Sequence, residues 1–143
     1  MPVQRALSVR DVGARFEEFH RRAATLLDEV GPVVDSKLAG DPARQIEADL
    51  EVLRGLLGKW SIEIVLVLYA LSGVGFEELR RQLRGITPRV LSGKLKQLEA
   101  RGLLLRSVLD TRPPRVEYRL SADGLALARM TEPALLYLRH RGR

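Results

Sequence analysis

The stretch formed by residues 87–120 limits the choice of fold more than any other part of the chain. Thr87 is a typical N-cap and is followed by a proline, which suits the first turn of a helix, and Gly102 is typical of a helix end. Two strand-like runs follow at once, Leu103–Leu109 and Val116–Leu120, on either side of a turn that contains two prolines. This stretch therefore predicts a helix that leads directly into a β-hairpin.

Apolar residues at helical spacing predict four helices before this stretch and one after it. The upstream helices are expected at Ser8–Val30, Asp41–Gly58, Trp60–Leu71 and Phe76–Leu83. The third is apolar on nearly all sides: its isoleucines and valines favour a buried strand, whereas its length and Ser61 as an N-cap favour a buried helix. Ser121 is the expected N-cap of the last helix, and Pro133 is expected to interrupt that helix. The order predicts a mainly α fold with a small β-hairpin (α+β), a winged helix-turn-helix.

The first predicted helix has apolar residues spaced alternately by three and four over three heptads, and Gly31-Pro32 is expected to end it. We expect it to pair with a second chain; an amphipathic helix that packs on its own domain is the alternative. The predicted interface of the dimerisation helices, N-terminal and C-terminal, comprises Val9, Val12, Phe16, Phe19, Leu26, Val30, Leu135 and Leu138. The predicted domains are an N-terminal extension at 1–40 and a winged-helix DNA-binding domain at 41–143.

Basic residues are concentrated in the middle of the chain. The 143 residues include 24 Lys and Arg against 18 Asp and Glu, a net charge of +6. Residues 76–119 carry 11 basic and 5 acidic groups, so this segment alone has a net charge of 11 − 5 = +6. A basic segment in an otherwise near-neutral chain indicates a polyanionic partner, although a solvated arginine-rich surface is the alternative.

The helix predicted at 88–101 has two different faces. Leu91, Leu95 and Leu98 share one side, and small or basic residues occupy the opposite side. A helix that enters the major groove of DNA needs short side chains where the backbone comes close and long donors around them. The alternative is a solvated face that contains a glycine by chance.

We therefore expect double-stranded DNA as the partner, with helix 88–101 as the recognition helix and the hairpin at 104–120 as the wing. The predicted DNA-binding residues are Arg80, Arg81, Arg84, Thr87, Arg89, Ser92, Gly93, Lys96, Arg112 and Arg115. The first three are expected on flanking phosphates, and the last two on the DNA backbone or in the minor groove. For the hairpin tip taken alone, an ordinary turn is the alternative.

Several classes of function are excluded or disfavoured. Without any cysteine the chain has no disulfide, thiolate nucleophile or Cys-ligated zinc, and its only two histidines are 120 residues apart. We find no constellation of acid, base and nucleophile, so no enzyme, metal or cofactor is expected. The longest apolar run falls far short of a membrane helix, and residues 1–10 lack the apolar core of a signal peptide, so a cytoplasmic protein is expected.

An ordered series of motifs between Ile46 and Leu138 resembles the HxlR-type family of winged-helix transcription regulators, which is related to the MarR group. The motifs are Leu57-Gly58-Lys59-Trp60, Phe76-Glu77-Glu78-Leu79-Arg80, Gly85-Ile86-Thr87-Pro88-Arg89-Val90-Leu91, Gly102-Leu103, Pro113-Pro114-Arg115-Val116-Glu117-Tyr118 and Leu120-Ser121-Ala122-Asp123-Gly124. The resemblance implies a homodimer on a pseudo-palindromic operator. Family members often carry a cysteine about 13 residues before the tryptophan, near Glu47 here, so thiol sensing is excluded in this chain.

The function expected from these features is a sequence-specific, DNA-binding transcription regulator that acts as a homodimer. The alternative is a winged-helix module for protein interaction, or an architectural DNA-binding module without strong sequence specificity. A small-molecule effector is compatible with the sequence, but no residue identifies one.

Overall fold

The computed structural model of the protein describes residues 7–34, 40–56 and 58–142. The elements in chain order are α1 Val9–Val34, α2 Pro42–Leu56, α3 Ser61–Leu71, α4 Phe76–Gln82, α5 Pro88–Ala100, β1 Leu104–Leu109, β2 Arg115–Leu120 and α6 Ala122–Arg141. The two strands form one antiparallel hairpin. The predicted mainly α fold with a small hairpin is confirmed. The chain forms two compact units, Met1–Asp49 and Leu50–Arg143.

The hydrophobic core of the second unit is built around α3. This segment is a helix and not the alternative strand, and Ile64, Val65 and Leu68 are buried in it. The predicted N-cap at Ser61 is wrong: Trp60 precedes the helix in a left-handed conformation, with φ 77°, and Ser61 is the buried first helical residue. The Trp60 side chain is partly buried and packs against the core.

Two prolines predicted to stop or interrupt helices do neither. The first helix continues through Gly31-Pro32 to Val34, and α6 continues through Pro133 to Arg141. A proline inside a helix removes one hydrogen bond to the carbonyl four residues earlier, which does not by itself end a long helix. The steric restriction on the residue before proline is partly relieved at Gly31, because glycine has no Cβ.

The remaining helix boundaries follow the sequence signals closely. The Thr87 hydroxyl accepts a hydrogen bond from the Val90 N–H at 3.3 Å, and the Ser121 hydroxyl accepts one from the Gly124 N–H at 3.1 Å. Both are side-chain N-caps, as predicted. Gly124 is buried so close to the Leu103 carbonyl that any side chain there would collide with backbone. The start of α6 therefore packs directly on the segment between α5 and β1.

The second strand was predicted to start at Val116, but it starts one residue earlier, because Arg115 pairs with Leu109 in the ladder. The loop before α4 also takes part: the Val74 N–H donates to the Tyr118 carbonyl at 3.1 Å, and the Tyr118 N–H donates to the Val74 carbonyl at 2.8 Å. The sequence pattern did not predict this pairing. It anchors the base of the hairpin to the segment that leads into the helix-turn-helix.

Candidate nucleic-acid interface

The two faces of α5 are separated as the sequence predicts. Leu91, Leu95 and Leu98 are at most 2% exposed, so they fix this helix onto the core. Arg89, Gly93 and Lys96 are exposed on the other side, and Ser92 is half-buried at its edge. A Cβ built at Gly93 has nothing within 4 Å. The outer face is therefore cationic, and its middle is open down to the backbone.

The three arginines predicted beside the recognition helix are all exposed, but two of them are already in ion pairs. On α4 the Arg80 Nη2 lies 2.9 Å from Glu77 Oε2, and Arg81 Nη2 lies 2.5 Å from Glu78 Oε2. These pairs span three residues on the helix surface and are weak in water, so a phosphate can compete for the guanidinium groups. Sequence reasoning missed the two pairs, although the Glu-Glu-Leu-Arg-Arg spacing encodes them.

The hairpin tip exposes both of its predicted arginines. Arg112 lies in the turn, whereas Arg115 is held in the strand ladder opposite Leu109. The Thr111 hydroxyl donates to the Pro113 carbonyl at 2.9 Å, and the Thr111 N–H donates to the Leu109 carbonyl at 2.8 Å. The turn is therefore ordered by its own hydrogen bonds, which limits the entropy that its arginines lose when they bind an anion.

Two basic residues on the flank of α5 were not among the predicted site residues. The Arg101 guanidinium covers Gly55 in the last turn of α2, so closely that a side chain at Gly55 would displace it. Lys94 is half-buried, and its Nζ lies 3.6 Å from where a Cβ at Gly58 would be. A cation is favoured at a helix C-terminus, where the carbonyl dipoles point. The glycine spacing Gly55-Leu56-Leu57-Gly58 was the available signal for these close approaches.

The predicted dimer residues lie on exposed or half-buried surfaces. No residue of α1 is buried, and Val9 and Leu26 are 77% and 57% exposed. Leu138 is also exposed, and Leu135 is half-buried. These two leucines line a groove of about 480 Å³ between α3 and α6, with Leu66 and Tyr69 on its other side.

Two further features of the described residues bear on the range of functions. Within 7–34, 40–56 and 58–142 there is no group of three His, Asp or Glu side chains that could hold a metal ion. Across the same ranges, none of the helices has the length and hydrophobicity needed to cross a membrane.

Comparison with known proteins identifies the family to which this chain belongs. The sequence model of the HxlR-like helix-turn-helix family matches residues 56–138, which is more than half of the chain. The chain belongs to the HxlR-like helix-turn-helix family. The resemblance noted in the sequence is thus confirmed. The match contains α3, α4, α5 and the hairpin, and α1 lies outside it.

Relatives of this HxlR-like protein include named transcription regulators. An uncharacterized HTH-type transcriptional regulator of Halalkalibacterium halodurans is 44% identical over 64 residues, which are 45% of this chain and 57% of that protein. The alignment thus spans little more than half of that relative's length. A solved protein of Enterococcus faecalis, assigned to the MarR family of transcriptional regulators, is 36% identical with a TM-score of 0.54, over 73% of this chain and 87% of that one.

A second solved structure is the reduced form of the transcriptional regulator YodB from Bacillus subtilis. It is 26% identical with a TM-score of 0.53, over 62% of this chain and 87% of that one. The present HxlR-like protein contains no cysteine, so it has no thiol whose redox state could change. The chain therefore carries a helix-turn-helix domain of this family, and the relatives named here are described as transcription regulators.

Proposed function

We propose that this protein regulates transcription by reading a specific sequence in double-stranded DNA as a homodimer. In this proposal α5 enters the major groove, and the hairpin, as the wing, contacts the backbone or the adjacent minor groove. Residues 1–40 serve as a dimerisation extension, and residues 41–143 serve as the DNA-binding domain.

The outer face of α5 is the observation that carries the proposal. The buried leucines hold this helix rigidly, while Arg89 and Lys96 extend outward with Gly93 between them. Arginine and lysine donate to guanine O6 and N7 in the major groove, and a glycine lets the backbone come close to the base edges. The Thr87 cap and the N-terminal end of α5 also suit a phosphate, because the helix dipole is positive there.

Contacts outside the groove supply affinity without sequence information. Arg112 and Arg115 on the wing, with Arg80, Arg81 and Arg84 next to the recognition helix, are exposed cations that suit phosphates. Binding through them releases counterions and weakens steeply as salt rises. Specificity is therefore expected from α5, and most of the salt dependence from the wing and α4.

The homodimer is supported by apolar side chains that one chain leaves exposed or half-buried. Val9, Val12, Phe16, Phe19, Leu26 and Val30 lie along α1, and Leu135 and Leu138 lie along α6. None of the eight is buried within the chain. Two copies related by a two-fold axis would present two recognition helices to the two halves of a palindromic site.

The test is selection of bound duplexes from a random library, followed by titration of the selected and a scrambled duplex over a salt series. We expect a preference of about 10³ or more for the selected duplex, retained as salt rises. Equal affinity for both duplexes would refute sequence specificity and leave an architectural DNA-binding module. No binding to any duplex at low salt would refute the proposal and favour a protein partner.

Charge reversal of the wing provides an independent check. In the double variant Arg112→Glu/Arg115→Glu we expect weaker binding to both duplexes and a shallower salt dependence, because two phosphate contacts per chain are replaced by repulsion. Arg129→Glu on α6, an exposed arginine outside the proposed site, is the matched control. Unchanged affinity in the wing variant would exclude the wing from the DNA contact.

A further inference from the structure

Continuation of α1 past Gly31-Pro32 lengthens its apolar stripe beyond what the sequence suggested. Val33 now follows Val30 at the expected spacing of three, so the stripe has eight positions. In heptad notation they are Val9, Phe16, Ala23 and Val30 at a, and Val12, Phe19, Leu26 and Val33 at d. Gly31 and Pro32 occupy the outward b and c positions, so they do not interrupt the stripe. The 26-residue helix is about 39 Å long.

Of the eight stripe positions, five are exposed and three are half-buried. Val9 is 77% exposed, Leu26 57% and Val33 75%, and no residue of α1 is buried. A soluble helix gains most of its stability from burial of its apolar face, so a stripe of this length requires a cover. The family match begins at residue 56, so the family does not specify what covers α1.

We propose that α1 pairs with α1 of a second copy of this chain as an antiparallel coiled coil centred on Arg21. The inference rests on the homodimer of the proposed function and adds the orientation and register of its N-terminal contact. In this register residues whose numbers add up to 42 face each other, so every a position meets a d position of the partner chain.

The sizes of the side chains favour the antiparallel register. It places Phe16 opposite Leu26 and Phe19 opposite Ala23, so each aromatic ring faces a smaller side chain. A parallel pair in register would instead stack Phe16 on itself and Phe19 on itself, and then leave Ala23 facing Ala23. Coiled-coil cores need layers of similar volume because the two helix axes keep a nearly constant separation. The antiparallel layers are closer to equal volume, whereas the parallel pair would place two crowded phenylalanine layers next to one small alanine layer.

The flanking charges favour the same orientation. Arg15 and Glu29 occupy g positions, and antiparallel helices bring g next to g of the partner chain. The dimer then contains two interchain pairs of Arg15 with Glu29. Parallel helices bring g next to e, which would pair Arg15 with His20 and Glu29 with Val34, so no acid meets a base.

The antiparallel register also brings Arg22 of each chain together at the centre. This repulsion is reduced because Arg22 Nε lies 2.7 Å from Glu18 Oε1 on the same helix. Glu18 also accepts from Arg21 Nη2 at 2.5 Å. The pKa of Glu18 is lowered below its ordinary value, chiefly by the hydrogen bond from Arg21 and then by that from Arg22, so the neutralising charge persists at neutral pH.

Engineered disulfides test the orientation, because the natural chain has no cysteine. The full-length variants are Val12→Cys, Val30→Cys and the double variant that carries both. Residues 12 and 30 are about 27 Å apart on one helix, too far for a disulfide within a chain. We expect the double variant to cross-link as a dimer under mild oxidation and neither single variant to do so.

Three other outcomes of the cross-linking experiment would each overturn part of the proposal. Cross-linking of either single variant would overturn the antiparallel orientation, because a disulfide between two identical single variants forms only where equivalent residues face each other. No cross-linking in any variant, with a dimer still present by sedimentation, would overturn the pairing through α1 and leave the homodimer intact. A monomer by sedimentation would overturn both this inference and the homodimer of the proposed function.

Charge exchange gives a second readout that leaves the apolar stripe unchanged. Glu29→Arg is expected to raise the dimer dissociation constant about tenfold, because two pairs become repulsive. The double variant Arg15→Glu/Glu29→Arg should restore the original value. Asp28→Arg, at the outward f position, is the matched control. An equal effect of Asp28→Arg and Glu29→Arg, or no recovery in the double variant, would overturn the proposed register.

Discussion

Helices α1 and α5 are both capped, amphipathic helices, but they differ in whether their apolar side is buried. Each starts at a hydroxyl cap: Ser8 accepts a hydrogen bond from the Asp11 N–H at 3.2 Å, and Thr87 accepts one from the Val90 N–H at 3.3 Å. Each carries an apolar stripe at helical spacing. The leucines of α5 are buried in the core, whereas Val9, Leu26, Val30 and Val33 in the stripe of α1 remain exposed.

This difference in burial determines which side of each helix is available to bind a partner. Because the core covers the apolar side of α5, its outward cations are held in a rigid arrangement that suits a groove of DNA. Because no residue of α1 is buried, we propose its apolar side as the surface that binds a second copy. The proposed functional surface of each helix is therefore the side that lies away from any buried core.

Truncation of one leucine in each helix should produce the largest difference between them. Leu95→Ala is expected to lower the free energy of unfolding by about 2–5 kcal/mol, because it leaves a cavity in the core. Leu26→Ala should change the unfolding of the winged-helix unit by less than about 0.5 kcal/mol and weaken the dimer instead. Urea denaturation followed by the fluorescence of Trp60, the single tryptophan, measures the first effect, and sedimentation measures the second. Similar losses of unfolding free energy would contradict the comparison.

Removal of one exposed arginine from each helix should affect DNA binding unequally. Arg89→Ala is expected to cost about 1–3 kcal/mol of binding free energy on the selected duplex, and less on a scrambled one, if Arg89 reads a base. Arg10→Ala on α1 is the control and should leave both affinities unchanged. Fluorescence anisotropy with labelled duplexes measures these values. An equal loss on both duplexes would assign Arg89 to a phosphate and remove it from sequence readout.

Glycine-to-alanine substitution at Gly93 should change stability and function in opposite directions. A Cβ at this position has open space, so Gly93→Ala is expected to stabilise the protein by about 0.5–1 kcal/mol. DNA affinity should fall, because the added methyl group keeps the backbone from the base edges. Gly13→Ala on α1 also adds a Cβ in open space and should stabilise its helix without loss of DNA affinity. Unchanged DNA binding by Gly93→Ala would show that α5 does not approach the bases closely at this point.

The smallest expected effect is the pH dependence of α1. Glu18 has a pKa below its ordinary value of 4.5, with Arg21 as the main cause and Arg22 as the second. A depressed pKa means that the contribution of Glu18 to helix stability is present above about pH 4.5 and is lost as the pH falls through the folded-state pKa. NMR titration of the Glu18 carboxyl should give a midpoint below 4.5, and Arg21→Ala should raise it. A midpoint insensitive to Arg21 would show that the ion pair does not form in solution.

Local chemistry was enough to predict the elements that build the DNA-binding surface. The caps at Thr87 and Ser121 and the buried side of α5 appear where the sequence places them, because each depends on residues within a few positions. The pairing of Val74 with Tyr118 and the cover that Arg101 gives Gly55 were not predictable in this way. Both join segments more than 40 residues apart, and no local pattern specifies which distant backbone a residue meets.

The sequence by itself determined the order of helices and hairpin, the basic character of residues 76–119, the absence of cysteine chemistry and the family. These depend on periodicity, capping, composition and motif order, all of which are properties of the chain before it folds. Only the tertiary structure decided that α3 is a helix, that Trp60 and not Ser61 precedes it, and that α1 and α6 continue through their prolines. At α3 the helix and strand preferences were balanced, and packing of the segment and of Trp60 in the core decided between them. Helices α1 and α6 continue although proline disfavours a helix interior, because the loss of one hydrogen bond does not by itself end a long helix.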